Sequence, residues 1–168
     1  MSKKEDTNFY RIERLDKEQE LAAALGNMVI AWSFAEQALM NAMARVTGLP
    51  LNIILNGYYR IPTINSRMQF LIGLLEHWKL DGFDAAAISA HILGLAKLSA
   101  TRNHWIHNEW CRGEHTHQIV QFDQRAKIGS PARRKEIKAA DILNHNEAVL
   151  ARCKEIDRLV KSNELAID

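Results

Sequence analysis

The hydrophobic positions of the chain recur mostly with the spacing of helices. Asp16 and Gln19 have the spacing of a capping box, which opens many helices. Apolar residues then follow at alternating intervals of four and three until Gly48 and Pro50 end the pattern. A helix of about 30 residues is near 45 Å long, so we expect part of it to pack on a partner chain. Its apolar stripe consists of Leu21, Leu25, Met28, Trp32, Ala35, Leu39, Ala42 and Val46.

Three further helices are predicted by the same spacing. After a short helical turn over 51–55 and an extended segment over 58–62, one helix covers 63–78 and another runs from 84 to 111. The last helix begins at a cap formed by Asp141. The predicted core positions of these three helices are Met68, Leu71, Ile72, Leu75, Ile88, Ile92, Leu95, Leu98, Ile142, Val149, Leu150, Cys153, Ile156 and Val160.

A small β-hairpin is predicted between the last two helices. Residues 117–125 alternate apolar and polar side chains, 129–131 have turn composition, and 135–138 form a returning strand. The predicted fold class is therefore mainly all-α, a bundle of four to five helices with a small β-hairpin before the last helix. We expect a flexible N-terminal segment over 1–15 and a single helical domain over 16–165.

Composition narrows the class of protein. The 168 residues include 22 Lys plus Arg and 20 Asp plus Glu, a net charge of +2, which excludes a uniformly basic surface but leaves room for a local basic patch. The longest apolar stretches, such as 28–32, are far shorter than the roughly 18 residues of a membrane-spanning helix, and no secretory signal pattern is present. Two cysteines, Cys111 and Cys153, suit a reducing compartment. We expect a cytoplasmic protein without membrane partners.

The densest run of chemistry-bearing residues lies at 101–110, late in the predicted helix 84–111. At about 100° per residue, Asn103 and His107 share a face, whereas Arg102 and His107 diverge by about 140° and would flank a groove. Arg102 also continues the apolar stripe of its helix. A charge that faces inward needs a carboxylate or a bound anion as its partner.

Two interpretations of Arg102 follow. In the structural one, Arg102 forms an ion pair with Glu36, which lies at the margin of the first helix's apolar stripe, and the pair fixes the register of two helices. In the functional one, Arg102 presents its planar donor fork to a phosphate while His107 transfers protons near neutral pH. Both hold if Glu36 only orients the guanidinium.

Other constellations are weaker. His104 and His107 would suit a small metalloprotein, but no carboxylate or second cysteine stands at a familiar ligand spacing, so we expect no metal and no other cofactor. Cys111 lies four residues after His107, a spacing at which a histidine could activate a cysteine nucleophile. We favour the interpretation of Cys111 as a small cysteine buried in the helix. Basic residues beside the motif give the hairpin region a basic bias, which is usually just a solvated face; those that would contact RNA, if the chain binds it, are Arg112, Arg133, Arg134 and Lys135.

The segment Arg102-Asn103-x-x-x-His107, placed late in a helix of a mainly α chain, resembles the Arg-x(4–6)-His motif of the HEPN superfamily. That superfamily includes many metal-independent endoribonucleases. The polar residue after the arginine and Trp110 after the histidine strengthen the resemblance. One departure is Asn108, where many relatives have glycine directly after the histidine.

The first helix adds to the resemblance, because Trp32-x-x-x-Glu36-x-x-Leu39 is similar to a pattern of small bacterial and phage relatives. The resemblance implies a bundle that dimerises with two motifs facing each other across a cleft. In active relatives the histidine and arginine promote attack of a ribose 2′-hydroxyl on the adjacent phosphate without metal. Here His107 would be the acid–base group and Arg102 would stabilise charge on the phosphorane.

The sequence therefore favours a metal-independent endoribonuclease or RNA-binding protein, of the toxin or phage-defence kind. Its expected partners are RNA, a second copy of the chain, and an antitoxin or other regulatory protein. The alternative is a non-catalytic helical dimerisation module in which Arg102 and Glu36 are structural. The candidate catalytic residues are Arg102, Asn103 and His107, and the candidate supporting residues are Glu36, His104 and Trp110.

Overall fold

The computed structural model describes residues 8–77, 84–123, 125–128 and 134–161. The mainly helical character predicted from the sequence is confirmed in these ranges, which also contain four strands. The elements in chain order are β1 (Phe9–Arg11), α1 (Gln19–Thr47), α2 (Leu51–Tyr58), α3 (Ile64–His77), α4 (Ala85–His107), β2 (Glu109–Gly113), β3 (Ile119–Phe122), β4 (Arg134–Glu136) and α5 (Ala139–Lys161).

Several helix boundaries follow directly from capping side chains. The Thr63 hydroxyl accepts a hydrogen bond from the backbone N–H of Ser66 at 3.1 Å, and the Asp84 carboxylate accepts one from Ala87 at 2.9 Å. These bonds satisfy donors that have no partner within the first turn of α3 and α4. Gly48, with φ of 68°, ends α1 in the left-handed conformation that favours glycine.

Two predicted helix starts differ from the structure. The helix α1 begins at Gln19, so Asp16 does not serve as its cap. Asp141 is the third residue of α5, and its Oδ2 accepts a hydrogen bond from the backbone N–H of Lys138 at 2.9 Å. This is the reaching-back half of a capping box. Asp141 therefore stabilises the first turn from inside the helix.

The predicted hairpin is part of a larger antiparallel sheet, whose four strands follow the order β1-β2-β3-β4. The hairpin itself is confirmed as β3 and β4, whereas the predicted turn over 129–131 lies outside the described residues. The predicted extension of α4 to residue 111 is wrong, because residues 109–113 pair with strands on both sides. Residues 9–11, inside the segment expected to be flexible, form the edge strand β1.

The chain divides into two compact units. We call residues 1–28 with 101–144 the sheet unit, since it contains the four strands of the described residues, and residues 29–100 with 145–168 the helical unit. In the helical unit the apolar faces predicted from the sequence are mostly buried. The buried residues at predicted positions there are Trp32, Ala35, Leu39, Ala42, Val46, Met68, Leu71, Leu75, Ile88, Ile92, Leu95, Val149, Cys153, Ile156 and Val160.

No helix in the described ranges is long and apolar enough to cross a membrane.

Candidate active site

The motif residues lie in the last two turns of α4, within the sheet unit. The helix ends at His107, and the backbone N–H of Asn108 donates to the His104 carbonyl at 3.2 Å. The strand β2 begins directly afterwards at Glu109. His107 is therefore the final helical residue, at the point where the chain turns from helix to sheet.

The end of α4 is anchored to the sheet through one carbonyl group. The carbonyl oxygen of Trp105 accepts a hydrogen bond from the indole Nε1 of Trp110 at 3.0 Å and another from Nε2 of Gln121 at 2.7 Å. Carbonyls in the last turn have no partner within the helix, so side chains of β2 and β3 supply the donors. Trp105 and Gln121 are only 4% and 1% exposed. The bonds hold the helix end in one position relative to the strands.

Arg102 and Asn103 contact each other at this helix end. Nη1 of Arg102 donates to Oδ1 of Asn103 at 3.0 Å, and both side chains are half-buried. The amide carries no charge, and no ion pair of Arg102 is present among the described residues, so its other nitrogens keep donors for a ligand. His107, by contrast, is exposed. The structure thus leaves both an arginine and a histidine accessible at the end of one helix.

His104 is held by its neighbour Asn108. Nδ2 of Asn108 lies 2.9 Å from ring nitrogens of His104, four residues earlier. Asn108 is the residue that the sequence comparison with the HEPN motif marked as a departure from glycine. Its side chain fixes the His104 ring against the helix end, which a glycine there could not do. The sequence pattern contained no signal for this contact beyond the four-residue spacing.

Glu36 has a partner other than the Arg102 that the sequence led us to expect. Glu36 of α1 accepts two hydrogen bonds from Nη1 of Arg67 in α3, at 2.9 and 3.1 Å, within the helical unit. Its carboxylate is therefore already compensated within the helical unit. Arg102 has the neutral Asn103 amide as its hydrogen-bond acceptor instead.

Arg67 is the residue that sequence reasoning missed. Its Nε donates to the Ile61 carbonyl at 3.0 Å, and its guanidinium lies over the rings of Tyr58 and Tyr59, 4.8 and 5.0 Å from their centroids. Burial raises the pKa of the Tyr58 phenol, and the nearby Glu36 carboxylate raises it further. We call Glu36, Tyr58, Tyr59 and Arg67 the arginine cluster. It ties α1, α2 and α3 together.

The candidate RNA-binding residues do not share one surface of the sheet. In the strand register Trp110 lies opposite Gln121 and Gln121 opposite Lys135, so Lys135 is on the face that carries Trp110 and Arg112. Arg134 is on the opposite face, with its guanidinium 4.5 Å from the centroid of the Phe9 ring. Arg112 forms an ion pair with Glu18. Arg133 lies outside the described residues.

A depression of about 420 Å³ lies beside β1 in the sheet unit. Four basic side chains line it, but two of them are already paired, Arg11 with Glu109 and Arg112 with Glu18. The surface is therefore of mixed charge rather than strongly basic. Its charged lining residues are Arg11, Glu13, Arg14, Asp16, Lys17 and Arg112.

Neither cysteine has the environment of a nucleophile. Cys111 lies in β2 and Cys153 in α5, and both are buried and free of disulfides. Burial raises the pKa of the Cys111 thiol, and it raises that of Cys153 to about 11. A reactive cysteine needs the opposite shift. Among the described residues, no group of three or more His, Cys, Asp or Glu side chains is arranged to hold a metal ion.

No protein-family model, curated protein or solved structure matches the chain. The similarity to the HEPN superfamily therefore rests on the residues of the motif and of the first helix.

Proposed function

We propose that the protein is a HEPN-like, metal-independent endoribonuclease in which His107 and Arg102 act on the RNA backbone. The observation that carries this proposal is the end of α4, where an exposed histidine and a half-buried arginine occupy one helix terminus that is anchored through the Trp105 carbonyl. Groups that act on a transition state are most effective when their scaffold holds them in place beforehand.

The proposed reaction is an internal transesterification. The ribose 2′-oxygen attacks the adjacent phosphorus, and the imidazole of His107 accepts the 2′-hydroxyl proton as the new P–O bond forms. The bond from phosphorus to the 5′-oxygen breaks, and that oxygen takes a proton from the imidazolium of His107 and leaves as a 5′-hydroxyl, which restores the neutral imidazole. The guanidinium of Arg102 stabilises the negative charge of the phosphorane, and Asn103 orients it through the 3.0 Å hydrogen bond.

The purified protein should cleave single-stranded RNA in the presence of EDTA. The products should carry 2′,3′-cyclic phosphate and 5′-hydroxyl ends, which mass spectrometry of a short oligonucleotide distinguishes. DNA of the same sequence should stay intact because it lacks the attacking 2′-hydroxyl. RNA products with 3′-hydroxyl and 5′-phosphate ends would contradict the proposed chemistry, and an RNA that stays intact would favour the non-catalytic module.

We also propose that the protein forms a homodimer through the exposed side of α1 in the helical unit. Val29, Ile30 and Phe34 are 61%, 57% and 51% exposed there. Between Glu20 and Arg45 the sequence has a single charged residue, Glu36, and Arg67 compensates it. An uncharged apolar face can lie against its own copy without like-charge repulsion, as a two-fold interface requires.

Light scattering at about ten micromolar should therefore give the mass of a dimer. Phe34→Glu should shift the protein to the monomer, because it introduces a charge beside its own copy in a two-fold interface. Leu93→Glu is the matched control, since Leu93 is an exposed apolar residue of α4 at 47% exposure. A monomeric wild-type protein, or a Phe34→Glu variant that remains dimeric, would refute the assignment of this face.

A further inference from the structure

The short helix α2 carries an apolar stripe that the fold leaves open to solvent. Leu51 and Leu55 in the helix and Tyr59 directly after it stand four residues apart, and they are 49%, 47% and 55% exposed. This spacing puts the three side chains along one flank of the helix. Ile54 and Tyr58 of the same helix are buried, so the stripe is held in one orientation.

A small cavity opens at the start of the stripe, within the helical unit. Its volume is about 190 Å³, and Leu51 forms part of its wall together with Ala44 of α1 and Val160 of α5. This volume is below the roughly 300–1,000 Å³ of pockets for drug-sized ligands, and it suits a single large side chain. A cavity beside an exposed apolar stripe is typical of a surface on which a partner protein inserts an anchoring residue.

The charges that border the stripe and the cavity are mostly positive. Arg45 and Lys161 line the cavity together with one carboxylate, that of Asp157. At the other end of the stripe stands Arg60, which is exposed and whose Nε donates to a carbonyl of α2 at 3.2 Å. The sequence from 37 to 75 contains no acidic residue. An apolar surface with such a border attracts acidic partners more than basic ones.

The size and charge of this surface decide between a second copy of the chain and a shorter segment. The stripe exposes an apolar area on the order of 300 Å², whereas a stable complex of two folded proteins buries about 800 Å² on each partner. A two-fold contact would also bring the same positive charges together. The stripe is about 12 Å long, which matches two turns of a second helix.

We propose that the stripe, the cavity and Arg60 form a docking site for an acidic amphipathic helix of a partner protein. Apolar residues of that helix, at intervals of three and four, lie along Leu51, Leu55 and Tyr59, and one of them enters the cavity. A carboxylate beside its apolar face pairs with Arg60. The site uses no residue of the proposed ribonuclease centre and is independent of that chemistry.

Fluorescence anisotropy of a labelled test peptide measures the docking. The peptide is a capped helix of about 18 residues with leucine at intervals of three and four and with glutamate and alanine elsewhere. A matched peptide has lysine in place of glutamate. The acidic peptide should bind saturably at micromolar concentrations, and at least about tenfold more tightly than the basic one at the same ionic strength. Equal affinity for the two peptides, or no saturable binding of the acidic one, overturns the proposal.

Two leucine variants locate the binding surface. Leu55→Ser should weaken binding of the acidic peptide by about tenfold or more, as for a side chain near the centre of an interface. Leu93→Ser is the matched control and should bind like wild type, since Leu93 of α4 is also 47% exposed. Equal affinity of Leu55→Ser and Leu93→Ser overturns the proposal.

Arg60→Glu provides a second route that leaves the apolar stripe unchanged. The variant should bind the acidic peptide more weakly than wild type does and the basic peptide more tightly, because the charge at the end of the stripe is reversed. Arg158→Glu changes an exposed arginine of α5 and should keep the wild-type preference. If Arg60→Glu also keeps that preference, the proposed pairing with a carboxylate is wrong.

A membrane surface is the other occupant that an apolar stripe with a positive border can take. Vesicles of equimolar phosphatidylcholine and phosphatidylglycerol test it in a sedimentation assay. Wild type and Leu55→Ser should sediment with them to the same small extent. Sedimentation of wild type that is lost in Leu55→Ser would assign the stripe to a lipid surface and overturn the proposal.

Discussion

Replacing Arg67 with methionine is expected to lower the free energy of unfolding by about 2–3 kcal/mol, somewhat less than the roughly 3–5 kcal/mol lost when one partner of a fully buried ion pair is removed. Arg67 and Glu36 have side-chain exposures of only 11% and 22%, so solvent compensates little of the charge that is left behind. Methionine also removes the hydrogen bond to Ile61 and the contacts with two tyrosine rings. Urea unfolding at a fixed protein concentration measures the change.

Two further variants show whether the loss comes from the charge. Arg158→Met removes an exposed pair with Glu155, whose side chains are 62% and 43% exposed, and should cost about 0–1 kcal/mol. Adding Glu36→Leu to Arg67→Met should recover much of the stability, because no uncompensated carboxylate then remains. If Arg67→Met costs no more than Arg158→Met, the arginine cluster does not hold the three helices together.

The helices were predictable because their signals are local. The apolar stripe of α1, the glycine that ends it and the caps at Thr63 and Asp84 each involve residues within a few positions of one another. Such patterns report directly on the period of a helix and on the unsatisfied groups at its ends. The same local rule placed Asp141 at the start of α5, although it acts from the third helical position.

The sheet was only partly predictable because its pairing partners are distant in sequence. Phe9 lies opposite Gly113 in the register, more than a hundred residues away, so nothing near residues 9–11 identifies them as a strand. No glycine or proline separates α4 from the five residues of β2. The sequence pattern therefore predicts that the helix continues into them. Strand pairing depends on tertiary context more than helix formation does.

The side-chain partner of Glu36 likewise depends on tertiary packing, which a local sequence pattern does not show. A charge that continues an apolar stripe was the reason to expect a partner for Arg102. Arg67 shows an identical signal, four residues before the buried Leu71 and eight before Leu75. The sequence thus indicates that an inward-facing charge needs compensation, whereas the choice between two arginines depends on how the helices pack. The structure selects Arg67 for Glu36.

The hydrogen bonding of Arg102 bears directly on the chemistry of the proposed active site. Within the described residues, Arg102 donates to the neutral Asn103 amide, whereas Glu36 is paired with Arg67. A phosphate is the kind of anion that such a donor fork binds well. The weakness of the basic surface around the sheet implies that most of the affinity for RNA would come from the motif itself.

His107→Ala should lower the rate of RNA cleavage by roughly 10²–10⁴-fold, the usual contribution of a positioned acid–base group. The imidazole is exposed, so its removal should change stability by no more than about 0.5 kcal/mol and leave the melting temperature near that of wild type. Single-turnover cleavage of a labelled oligonucleotide in EDTA measures the rate. Arg102→Ala should cause a comparable loss.

A matched control for His107 is available in the same chain. His77 is also an exposed histidine at the last position of a helix, α3, but it has no arginine five residues before it. His77→Ala should therefore cleave at the wild-type rate, which separates loss of the motif from the general effect of removing a helix-terminal histidine. Cleavage that persists in folded His107→Ala at the rate of His77→Ala would mean that the 2′-hydroxyl proton goes to another group, and the assignment of His107 would fall.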